Sequence, residues 1–196
     1  MATPEEIARQ AVLTTLRDPA VGRMVFGVGW VLILPNDYER VAKAIESGAI
    51  TVHIEPSLPS HMARYDSDAN RLDVPPGGSD PALLIHESTH AIFDIRSLPA
   101  STAESEGIAY IAQALFGRLK YGPPRSRYMV SADYANPVSW FGWQTIFDQS
   151  SALAGILVTT PYLRRDQVTM LFTAVGMTTT YINQGPNTSY NGVPGT

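Results

Sequence analysis

The stretch that most constrains the fold is residues 79–95, SDPALLIHESTHAIFDI. Its start is written as a helix start. Asp80 can accept a hydrogen bond from the free N–H groups of a first turn, and Pro81 suits the first helical position, where no N–H is needed. Leu83, Leu84, Ile85, Ala91 and Ile92 surround the polar run His86–His90. The pattern predicts a helix over 79–95. Residues four apart on a helix share a face, so His86 and His90 point the same way. The whole chain has four histidines and eight glutamates in 196 residues. With those frequencies a His-Glu-x-x-His match arises by chance about 0.003 times per sequence of this length, so the pattern is read as chemistry. The competing reading is a pair of partly buried helical histidines beside an exposed Glu87.

Glu87 is rotated by about 100° from His86 on a helix of 3.6 residues per turn. That sets it beside an ion held by the two imidazoles, where it can accept a proton from water. This is the HExxH arrangement, in which two histidines hold Zn²⁺ and the carboxylate is the general base. Zinc brings the pKa of water toward neutrality and polarises a carbonyl. The chain contains no cysteine, so a metal must be held by His, Asp, Glu or water.

Catalytic zinc commonly takes three protein ligands and keeps one position open. No histidine follows His90. Asp94 shares the helical face but lies about 12 Å along the axis from His86. It is read as an acceptor that steadies a ligand histidine, or as a charge at the helix end. Glu104 and Glu106 remain, in LPASTAESEGIAYIAQALF. Ser101 followed by Glu104 forms a capping box, which gives Glu104 a structural task. Glu106 lies deeper in the helix and precedes Gly107. A glycine there costs up to about 1 kcal/mol relative to alanine, which suggests a close approach by a neighbouring metal-bearing helix. Glu106 is therefore the favoured ligand and Glu104 the alternative.

HESTH at 86–90 followed by SEGIAY at 105–110 resembles the gluzincin branch of the zincin metallopeptidases, over about residues 70–115. The resemblance implies His86, His90 and Glu106 as zinc ligands, Glu87 as catalytic base, and a peptide or protein as substrate. It also implies an edge strand just ahead of the motif helix that pairs with an extended substrate, a place occupied here by NRLDVPP at 70–76. A tyrosine or histidine often stabilises the oxyanion in this family, and Tyr110, Tyr128, Tyr134 and Tyr162 are the candidates.

The rest of the chain frames this helix. Helices are expected at 4–17, 36–48, about 101–119, 137–159 and 163–175. Asn36 or Asp37 would cap the second of these and Gly48 would end it. Strands are expected at 24–34 and 49–56, with a hairpin over 62–76 turning at DSDAN. The reading is α+β: a small N-terminal antiparallel or mixed sheet with an edge strand, the HExxH helix, and a mostly helical C-terminal half. One domain is expected over 1–180, followed by a mobile tail over 181–196 with little to bury. Trp140, Phe141, Trp143 and Phe147 recur at helical spacing and read as core. His53 reads as a structural histidine in its strand, and His61 as a surface one.

Net charge is −4, which gives no case for nucleic acid or an anionic membrane as partner. The longest apolar run, MVFGVGWVLIL, has 11 residues, against about 20 for a bilayer span. The first residues lack a signal-peptide pattern, so the expectation is a soluble chain, cytoplasmic or secreted with a leader removed. Three functions compete: a zinc peptidase, a metal-binding module without catalysis, and a toxin-like effector protease. The intact Glu87 favours catalysis.

Overall fold

The computed structural model describes residues 2–122, 137–178, 180, 187–188 and 190–196, with residues 137–142 and 187–188 described by backbone alone. The fold is α+β, as expected. Among the described residues the α-helices are α1 (Pro4–Leu16), α2 (Pro35–Ser47), α3 (Pro81–Ile95), α4 (Thr102–Tyr121), α5 (Pro137–Leu157) and α6 (Arg165–Gly176). The strands are β1 (Phe26–Val28), β2 (Val31–Ile33), β3 (Thr51–Ile54), β4 (Arg64–Asp66), β5 (Arg71–Val74), β6 (Ala100–Ser101), β7 (Tyr162–Leu163) and β8 (Asn187–Thr188). No described helix is long and apolar enough to cross a membrane.

Helix starts follow the local chemistry. Thr3 and Glu6 form a capping box on α1, and the Asp80 side chain accepts from the Ala82 N–H at 2.8 Å to open α3. The start of α2 departs from expectation. Pro35 takes the first helical position, and Asp37 instead reaches back to the Leu34 N–H at 2.9 Å. Gly48, at φ +80°, ends that helix as expected.

The sheets are more broken than the sequence suggests. The expected strand over 24–34 is a hairpin, β1 paired antiparallel with β2 and Val28 opposite Val31. Its two-residue turn begins at Gly29, at φ +60°, and the continuous apolar run conceals that turn. β7, from late in the chain, adds in parallel to β1. A second sheet has the order β3-β5-β4, with β3 and β5 parallel and β4 and β5 antiparallel.

This order corrects the expected edge. Residues 71–74 form the central strand of their sheet, with both backbone edges used, because β3 takes the side left open by the hairpin. The strand that packs against α3 is β4.

α3 sits at the centre, against α1, α2, α4 and β4. Every residue from Leu84 to Asp94 is buried. A buried polar group without a partner costs free energy, so a helix buried on all sides gains from partners within the protein. Thr89 does so by donating to the Ile85 carbonyl at 2.8 Å and sharing a hydrogen bond with the Tyr38 hydroxyl at 3.1 Å.

The described part of the C-terminal tail is packed at two places. β8 pairs antiparallel with β6, and Val193 joins the core at 6% exposure. Its composition hides a few well-placed residues among turn formers.

Candidate metal centre

α3 and α4 pack side by side, and this brings His86, His90 and Glu106 together. His86 Nε2 lies 3.3 Å from His90 Nε2 and 3.3 Å from Glu106 Oε2. His90 Nε2 lies 3.5 Å from Glu106 Oε1. Among the described residues this trio offers one ligand atom each within 4.8 Å of one another. Neighbouring donors around a tetrahedral ion with bonds of about 2.0–2.2 Å stand about 3.3–3.6 Å apart; the two imidazole nitrogens stand at that spacing, and each meets a different oxygen of the Glu106 carboxylate at it, so the group could hold a metal ion. The hydrogen bonding agrees. His86 comes close to Glu106 Oε2 without making an aligned hydrogen bond, and that buried oxygen has no donor. A cation between the three groups would satisfy it.

No family model, curated protein or solved structure matches this chain.

The electrostatics are those of a buried cluster. Burial alone would push the Glu106 carboxyl up, but His90 and His86 outweigh it and hold the group well below the ordinary carboxylate range. Burial pushes His90 down, yet Tyr190, Glu106 and Glu87 together raise it well above an ordinary histidine. Glu87 is raised by burial, with His86 and His90 partly offsetting it. Glu87 does not belong to the ligand trio. Its Oε2 accepts the Tyr65 backbone N–H at 2.8 Å, so β4 fixes the carboxylate beside the site. Glu87 is 7% exposed, which removes the competing reading in which it faces solvent.

The other candidates separate cleanly. Glu104 closes the capping box with Ser101 and also pairs with Arg165 at 2.8 Å, away from the trio. Asp94 is fully buried, so it is not a surface charge. It accepts from the Tyr65 hydroxyl at 2.8 Å and the Gly192 N–H at 2.9 Å. Gly107 is also explained differently. A Cβ there would stand 2.4 Å from the Phe172 ring, so the close neighbour is α6, not the helix bearing the histidines.

Of the four tyrosines, Tyr110 packs edge-on against His86, with ring centroids 4.4 Å apart. Tyr162 gives its hydroxyl to the Gly29 carbonyl on the β1–β2 turn. Tyr128 and Tyr134 lie outside the described residues. Trp143 and Phe147 are half-buried against the core, next to Tyr110, while the side chains of Trp140 and Phe141 lie outside the described ones. His53 is exposed on β3.

Two contributors escaped the sequence reading. Tyr65 supplies the N–H on Glu87, and Tyr190 places its hydroxyl 3.0 Å from His90 Nδ1. Tyr190 stands 100 positions from His90, so no periodicity could link them. The one available signal is an aromatic residue in a stretch rich in turn formers.

Proposed function

We propose that this chain is a zinc-dependent peptidase of gluzincin type, in which His86, His90 and Glu106 hold the ion and Glu87 is the general base. One observation carries the reading: two imidazoles and a carboxylate converge with one ligand atom each within 4.8 Å, and a second, separately anchored carboxylate follows one residue after the first histidine. Two histidines and a glutamate, without cysteine, are a donor set used by catalytic zinc in peptidases. When bound, zinc supplies Lewis acidity that polarises a scissile carbonyl and acidifies water.

The chain's own groups supply the rest. Glu87 takes a proton on its carboxylate and passes it to the leaving amine. Its burial raises its basicity, the direction a base working near neutrality needs. The Tyr65 N–H occupies Oε2, which directs the other oxygen to the proton transfer. Of the four candidate tyrosines, Tyr110 is the one whose ring packs on a proposed ligand, and we take it as the candidate to meet a developing oxyanion.

A second reading, a metal-binding module without catalysis, is favoured by burial: His86, Glu87 and His90 are 4%, 7% and 8% exposed. One experiment separates the two. Zinc-loaded protein is assayed on a broad peptide library beside Glu87→Gln, which keeps size and shape but loses the basic oxygen. The peptidase reading expects cleavage by the wild type and a loss of about 10²–10⁴ in turnover in the variant, with zinc retained. Equal turnover by the two would end the mechanism, and a fully loaded but inert wild type would favour the module.

A further inference from the structure

The two ligand histidines are oriented by different means. His86 Nδ1 is buried with no hydrogen-bond partner, and its ring is held by packing on Tyr110. His90 is held by a hydrogen bond. An imidazole that offers its Nε2 lone pair to an ion carries its proton on Nδ1. His90 Nδ1 then donates to the Tyr190 oxygen at 3.0 Å, while Nε2 faces His86 and Glu106.

Tyr190 is itself pinned. Its ring packs on Phe93, with centroids 5.5 Å apart. Two residues on, the Gly192 N–H donates to Asp94 Oδ1 at 2.9 Å. Gly192 has φ +89°, and a Cβ there would stand 3.2 Å from Ser97 Oγ, so the chain passes close to the end of α3. Val193 enters the core. Asp94 uses its second oxygen to accept the Tyr65 hydroxyl at 2.8 Å, and the Tyr65 backbone holds Glu87. One buried carboxylate therefore clasps both the strand that anchors the base and the segment that anchors a ligand.

We propose that Tyr190 is a positioning residue of the metal centre, and that docking of residues 190–193 and metal binding are coupled. The proposal rests on the reading of His86, His90 and Glu106 as metal donors. With the segment docked, the His90 ring is locked with Nε2 toward the ion. With it displaced, His90 regains rotamer freedom and the site keeps two oriented donors of three. Coupling is reciprocal: whatever displaces the C-terminal segment weakens the metal, and the metal tightens the segment.

The test compares wild type, Tyr190→Phe and His86→Ala as full chains, with zinc affinity measured by competition against a chelating dye. Phenylalanine keeps the packing on Phe93 and removes the accepting oxygen. Tyr190→Phe should bind zinc about 10- to 100-fold more weakly, and its Co²⁺-loaded form should show a shifted visible spectrum, which a purely structural role would not move. In the wild type, zinc should slow removal of the C-terminal residues by a carboxypeptidase, and in Tyr190→Phe that protection should shrink by a similar factor. Unchanged zinc affinity and an unchanged cobalt spectrum in Tyr190→Phe would overturn the proposal while leaving the metal site standing. Zinc binding absent from the wild type, with His86→Ala no different, would overturn the site and the proposal together.

Discussion

Glu104 and Glu106 are two residues apart on one helix and do opposite work. The difference follows from which way each points. Glu104 folds back onto the Ser101 N–H and hydroxyl at 3.2 and 3.0 Å, whereas Glu106 faces α3. Glu104→Ala should therefore cost about 1 kcal/mol of stability as a lost cap, with zinc binding intact. Glu106→Ala should cost zinc affinity, by a few kcal/mol if a direct bond to the ion is lost. Thermal melts and metal titration of both variants check the pair, and an exchange of the two phenotypes would refute the assignment. This distinction was legible in the sequence because capping is local: Ser101 and Glu104 sit at a spacing with a known geometry. The HExxH residues were legible for the same reason, since one helix sets their positions. The partners of Asp94 were not legible, because Tyr65 and Gly192 come from distant segments.

At the scale of elements, helix locations were readable because caps and prolines mark their starts, while strand roles were not. A hairpin predicts that 62–76 folds back on itself, but only the arrival of β3 decides which of its strands becomes central. The same limit applies to Gly107, whose sequence context says that something is close and not what. With Phe172 as that neighbour, Gly107→Ala should overpack the α4–α6 contact and destabilise by up to about 2 kcal/mol, the strain of about 1–3 less the helix-propensity gain of about 1. Adding Phe172→Leu should recover part of that loss, and a strictly additive double mutant would argue against the contact. The central strand also carries a titration. Asp73 is fully buried between Arg71 at 2.6 Å and Arg64 at 2.7 Å. Burial pushes its carboxyl up, but the two arginines outweigh it and hold it below the ordinary aspartate value. A depressed carboxylate contributes stability that is full above its unfolded pKa of about 4 and is lost as pH falls through the folded one. Asp73→Asn should thus cost about 1 kcal/mol at neutral pH, an effect limited by the exposure of both arginines. Below about pH 4 its melting temperature should fall less steeply than that of the wild type. Parallel acid limbs for the two proteins would contradict this account.

At the scale of the whole molecule, the site is a meeting point of segments far apart in the chain. α3 supplies His86, His90 and Glu87, α4 supplies Glu106, β4 holds the Glu87 carboxylate, and Tyr190 meets His90. An ion bridging α3 and α4 binds the folded chain and finds no assembled site in the unfolded one. It therefore stabilises by mass action, by about 2.7 kcal/mol at a free concentration 100 times Kd. For a domain of this size that corresponds to a rise in Tm of about 5–10 °C. The fold itself does not hang on the ion, because α3 is enclosed by apolar contacts from Leu84 to Phe93 that the metal does not touch. Chelation should accordingly lower Tm by that amount and leave a cooperative transition, and returning zinc should restore it. His86→Ala should melt alike with and without zinc. The dependence on pH has a direction too: acidification protonates the donors and competes with the ion, so the zinc-dependent part of Tm should shrink toward low pH. A wild type whose melting is indifferent to zinc and chelator would mean that the three donors converge for some reason other than a metal.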